Sequence, residues 1–143
     1  MSEYITNLVF DRTQADLDNL TKKAYIDYQD LIRVESAVKW ISHILNVKGY
    51  RNTTNNRLEW SMNDFRTDAD MTRLRNNIQA IRNAYYTPDS TPLTPDRITY
   101  TSIYQANAIE KILYDLGLLV EKIKPGHQHL AFRLGSGPIG NRG

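Results

Sequence analysis

Residues 104–116 read YQANAIEKILYDL, an apolar helical pattern broken by one carboxylate, Glu110. Whether that acid belongs to chemistry or to architecture decides how the chain is read. The stretch is the third copy of a plan. Segments starting at Tyr25 (YIDYQDLIRVESAVKWISHIL), Phe65 (FRTDADMTRLRNNIQAIRNAY) and Tyr100 (YTSIYQANAIEKILYDLGLLV) align without a gap. Each opens on an aromatic residue and carries, two positions later, a helix N-cap: Asp27, Thr67 and Ser102. Such side chains accept a hydrogen bond from an otherwise unpaired first-turn amide. Asp30, Asp70 and Gln105 follow three positions on, predicting a capping box in the second and third units and a looser version in the first. The leading aromatic is expected to fold back over the first turn as a displaced hydrophobic staple.

Apolar residues then recur at fixed distances from each cap. They are Leu31, Val34, Val38, Ile41 and Leu45; Met71, Leu74, Ile78, Ile81 and Tyr85; Ala106, Ile109, Leu113, Leu116 and Val120. At about 100° per residue they form one stripe about 80° wide, the mark of an amphipathic helix facing a core. Glu110 stands eight positions past its cap, as do Glu35 and Arg75 in the other units. That position lies about 80° from the centre of the stripe, at its boundary. A carboxylate there is expected to reach water or to pair with an arginine of an adjoining helix. Glu110 therefore reads as the edge marker of a repeated helix rather than as a catalytic acid.

A shorter echo occurs earlier, with Thr13 as cap, Asp16 three later, then Leu17, Leu20 and Ala24. No unit buries enough apolar surface to offset the cost of ordering its own backbone, so the helices must pack on one another. The expected fold is mainly α: a small bundle of three long amphipathic helices plus a short N-terminal helix, with long loops. Gly49 is the expected stop of the first long helix, and Leu58, Trp60 and Phe65 are expected to pin the connection that follows. Pro88, Pro92 and Pro95 require an extended second connection. Pro125 and Gly126 close the third helix, so the bundle domain is expected over residues 1–125. Residues 126–143 form an extended Gly-rich arm, read either as a solvated tail or as a segment that orders against a neighbouring subunit. Its anchors in the second case are Leu130, Phe132, Leu134 and Ile139. Trp60, Tyr86 and Leu93 complete the candidate interface, unless they pack on their own bundle.

Bulk properties narrow the function. The chain has 143 residues, 41% hydrophobic and 24% charged, which suits one globular domain. A net charge of +2 with both signs interspersed argues against a dedicated nucleic-acid binder. With no cysteine there is neither a disulfide nor a thiolate site. Residues 1–10 lack the pattern of a signal peptide, and no apolar stretch reaches the length of a membrane span. The expectation is a soluble protein of a reducing compartment, without a membrane partner.

Sequence patterns of catalysis are sparse. His127 and His129 make an HxH pair without further ligands at metal-site spacing, and His43 stands alone on the first long helix. There is no phosphate-binding loop, zinc-protease motif or nucleophile elbow. Arg73, Arg75 and Arg82 line up with Asp68 and Asp70, as exposed ion pairs of small energetic weight do. The sequence assigns no catalytic residue, cofactor or metal. An enzyme would require Glu35, Glu110 and His43 to converge in a buried pocket. A binding module contacting nucleic acid or a regulatory protein is the alternative, with Arg57, Arg66, Arg73, Arg75 and Arg82 as its nucleic-acid carriers.

Three stretches carry a family resemblance: DRTQADLDNLTKKAY with IRVESAVKWI, then LEWSMNDFRTDADMTRLRNNIQAIRNAYY, and finally TPLTPD with ITYTSIYQANAIEKILYDL. Together they resemble a module of tail and baseplate proteins in phages and prophages of Gram-positive bacteria, over roughly residues 10–120. ANAIEKIL is the most specific part. The resemblance implies a non-enzymatic virion protein at the baseplate or tail tip, assembled in the host cytoplasm. It also implies other tail subunits as partners, with self-association in a ring or trimer, and it transfers no catalytic residue. Leu31 and Ile32 depart from it, since such modules often place a polar residue before the arginine.

Overall fold

Asp27, Thr67 and Ser102 each start a long helix in the computed structural model, which describes residues 2–99 and 102–123. The order is α1 (Glu3–Thr6), α2 (Gln14–Asp18), a 3-10 turn (Lys22–Ala24), α3 (Tyr28–Val47), α4 (Asp68–Ala84) and α5 (Ile103–Lys122). The mainly helical class and the three long helices stand as expected. The single N-terminal helix is corrected to two short ones. The helix begun at Thr13 stops at Asp18, because Leu20 takes a left-handed conformation (φ 53°) that ends it. Tyr100, the arm at 126–143, His127, His129, Leu130, Phe132, Leu134 and Ile139 all lie outside the described residues.

Every predicted stripe residue is buried except Tyr85, which sits one position past α4. There it meets Tyr50 edge-on, with ring centroids 4.6 Å apart. One apolar cluster runs through all three long helices and takes in Ile5 and Trp60. The stop at Gly49 is a Schellman motif: Tyr50 N–H donates to the Leu45 carbonyl at 2.8 Å and Gly49 N–H to that of Asn46 at 3.1 Å. Glycine fits there because φ is 96°.

Capping is distributed otherwise than the spacing predicts. Reciprocal boxes form on α2 and α3, through Thr13 with Asp16 and Asp27 with Asp30. On α4 the Asp70 carboxylate turns to Thr67 Oγ1 and toward Arg57 and Arg73. On α5 Gln105 reaches Thr99 N–H and the Arg97 carbonyl. The staple is corrected too: Tyr25 and Phe65 point to solvent, 69% and 86% exposed.

The three long helices are parallel. Arg33 near the start of α3 meets Glu110 near the start of α5, and Lys48 just past α3 donates to the Val120 carbonyl near the end of α5. Arg73 near the start of α4 likewise meets Glu35 near the start of α3, while Tyr50 and Tyr85 meet just beyond the far ends. Parallel neighbours need connections that travel back along the bundle, which explains the two long non-helical stretches. Each of these, and the N-terminal stretch, lies between a pair of helices. Residues 9–12 bond to α3 and α5, residues 55–60 to α3 and α4, and residues 91–95 to α4 and α5.

Candidate functional site

Glu110 has no exposed surface. Its Oε1 accepts from Val9 N–H at 2.9 Å and Arg33 Nε at 2.7 Å; its Oε2 accepts from Arg33 Nη2 and Arg12 Nη2, both at 2.8 Å. The expectation that this carboxylate reaches water is therefore corrected, and its pairing with an arginine of an adjoining helix is seen. The flank at 80° is buried because residues 9–12 lie over it. A helical wheel contains no such layer.

Arg12 closes the arrangement. It is 3% exposed, and all five of its N–H donors have acceptors: the Lys23 and Val9 carbonyls, Asn107 Oδ1, Asp30 Oδ1 and Glu110 Oε2. Asn107 also pairs with the Arg12 backbone in both directions, at 3.1 and 2.8 Å. Arg33 completes a group of two cations and two anions by bonding Asp30 as well. Burial alone would lower the Arg33 pKa. The hydrogen bonds and charge of Glu110, followed by those of Asp30, override that and raise it.

A second arrangement repeats the first. Glu35, also without exposed surface, accepts from Arg57 N–H at 2.9 Å, Trp60 Nε1 at 2.6 Å and Arg73 Nη1 and Nη2 at 2.5 and 3.1 Å. The Arg57 guanidinium lies 3.9 Å from the Trp60 ring centroid. The hydrogen bond to Glu35, against burial, raises the Arg73 pKa. In both joints a glutamate eight positions past one cap takes an arginine six positions past the neighbouring cap and the amide of an extended segment.

The third position inverts this polarity. Arg75 occupies the eighth place on α4, and its Nε donates to the Pro95 carbonyl at 2.9 Å. Proline has no N–H to offer a carboxylate, and the sixth place on α5 is Ala108. The inter-helix pair suggested by Arg75 is thus replaced by a bond to a connection. Arg82 does the same to the Pro92 carbonyl, at 2.6 Å. Of the three arginines expected to pair along α4, only Arg73 approaches Asp70 (3.5 Å), and Asp68 pairs with Arg97 instead.

Glu35 and Glu110 share no partner, and His43 is exposed on α3. The convergence an enzyme reading required does not occur among these three residues. Among the described residues no group of three His, Asp or Glu side chains has metal-site geometry, and no helix is long and apolar enough to cross a membrane. Of the candidate interface residues, Trp60 follows the alternative of packing on its own bundle. It is 4% exposed and bonded to Glu35, so it anchors its own chain. Tyr86 and Leu93 are exposed. Sequence reasoning missed Arg12 and Arg33 as partners of Glu110. For Arg33 the signal was the arginine shared with Arg73 at the sixth place of the first two units; Arg12, one residue before the Thr13 cap, carried no such signal. No described protein family, curated protein or solved structure matches this chain.

Proposed function

We propose that the chain is a non-enzymatic structural part of a phage tail or phage-derived particle, at the baseplate or tail tip, acting through assembly. The observation that carries this reading is the saturation of the two buried glutamates. Each carboxylate is held by arginine and by the amide of an extended segment, so each fastens a connection into a helical groove. Groups so engaged are unavailable to a substrate, and the body they fasten is a rigid carrier for surface contacts. The phage assignment comes from the resemblance over residues 10–120. Tyr86 and Leu93 are the exposed apolar residues of the second connection available to neighbouring subunits. The nucleic-acid alternative loses most of its carriers, because Arg57, Arg73, Arg75 and Arg82 are engaged within the chain.

The test is to induce particle production in the source organism, purify the particles and locate the chain by mass spectrometry and immunogold labelling. A fixed copy number at one end of the tail is expected. A chain abundant in the cells but missing from intact particles would contradict the proposal.

A further inference from the structure

The three grooves of the bundle are filled alike but fastened unequally. Each long helix is preceded by a segment lying between it and a neighbour: residues 9–12 between α5 and α3, residues 55–60 between α3 and α4, and residues 91–95 between α4 and α5. In the first two grooves a fully buried glutamate binds both an amide of the segment and an arginine of the neighbouring helix. α3 also packs directly on α4 and on α5, whereas α4 and α5 make no comparably close approach. In the third groove Arg75 and Arg82 donate to the Pro95 and Pro92 carbonyls, and Thr91 donates to Asp115 at 2.9 Å. Lifting either of the first two segments would strip a donor from a carboxylate that stays in the interior, which is costly. Lifting the third leaves two half-buried arginines that can turn to water. Thr94 adds an independent observation. Its Oγ1 is buried without a hydrogen-bond partner, the only such side-chain atom among the described residues. The closed position thus leaves a hydroxyl unsatisfied, and opening returns it to water.

We infer that residues 86–99 form a strap that lifts out of the α4–α5 groove while the other two segments stay fastened. Local opening of this kind occurs where few buried ties must break together. The ties at the strap's far end, Arg97 to Asp68 and Gln105 to the Arg97 carbonyl, both at 3.0 Å, are exposed to water and add little. The strap buries Ile98 and carries the exposed Tyr86 and Leu93, so opening brings a further apolar side chain out beside them. The opening is read from the groove itself and stands whether or not the chain belongs to a particle.

The chain has no cysteine, so a single introduced thiol reports when its site reaches solvent. Ile98→Cys, at a site 2% exposed, reports on the strap, and Leu8→Cys, at a site 8% exposed, on the segment beside the Glu110 joint. Ala37→Cys, on α3 with no exposed surface, reports on global unfolding. The experiment is labelling of each full-length variant by an aromatic disulfide reagent in native buffer. Ile98→Cys is expected to react at least about tenfold faster than either of the others. Adding Arg82→Met should speed its labelling about tenfold, and adding Thr94→Val should slow it several-fold, with the Leu8→Cys rate unchanged. Should Ile98→Cys fail to fold, Thr94→Cys, close in size to the residue it replaces, takes its place with Arg82→Met as companion. A strap thiol that labels no faster than Leu8→Cys or Ala37→Cys overturns the inference. So do substitutions at Arg82 and Thr94 that leave its rate unchanged or move all three rates alike.

Discussion

A carboxylate with no exposed surface must find its hydrogen bonds and its countercharge inside the protein, because an unpaired buried charge is costly. Glu110 and Glu35 satisfy this with arginines from neighbouring helices and amides from extended segments. The less buried acids follow the same logic at smaller scale. Burial pushes the Asp70 pKa up, but the Thr67 hydroxyl and then the charges of Arg57 and Arg73 bring it below its ordinary value of 3.8. The unfolded chain therefore takes up the proton first. The stabilisation from Asp70 is complete above the ordinary value and is lost as pH falls through the lowered one. Urea unfolding followed from pH 6 downward should show stability declining below about pH 4. Asp70→Asn should flatten part of that decline; an unchanged slope would show that Asp70 is not responsible. Of the residues in the two joints, the glutamates could be placed on helices from sequence. Their burial could not, since periodicity describes one helix and says nothing about what lies across its flank.

Helices were the most legible elements, because cap and period agree in each long unit. What sequence left open was the set of contacts beyond the stripe. α5 buries Ile112 and Gly117 in addition to its predicted face, since α1 packs against it. A Cβ placed on Gly117 would stand 1.9 Å from Ile5 Cδ1 and 2.7 Å from Cγ1, and Ile5 is itself fully buried. Gly117→Ala gains helix propensity of up to ~1 kcal/mol, but overpacking of a closed core costs about 1–3 kcal/mol. The variant should be less stable in thermal and urea unfolding. Combining it with Ile5→Ala should cost less than the sum of the two single substitutions, because the shorter side chain makes the room. Strict additivity would show that the α1–α5 approach is not the constraint. Tyr25 and Phe65 illustrate the opposite miss. An aromatic before a cap reads as a staple, yet both face outward.

At the scale of the molecule, three parallel helices are joined by connections that travel back through the grooves between them. Composition and periodicity indicated a bundle. Helix direction and the lie of the connections followed from pairings such as Arg33 with Glu110 and Arg73 with Glu35, which span 77 and 38 residues of sequence. Such long-range pairs leave no local signal. They also make the joints the places where separate parts of the chain become one body, and this is the central claim: Glu110 and Glu35 fasten the extended segments to the helices. The most direct measurement is urea unfolding of Glu110→Ala, with Glu35→Ala beside it. Removing one partner leaves buried arginine and amide donors unmatched, so each variant should lose about 3–5 kcal/mol. A Glu110→Ala chain within about 0.5 kcal/mol of the parent, the usual range for surface substitutions, would contradict the account.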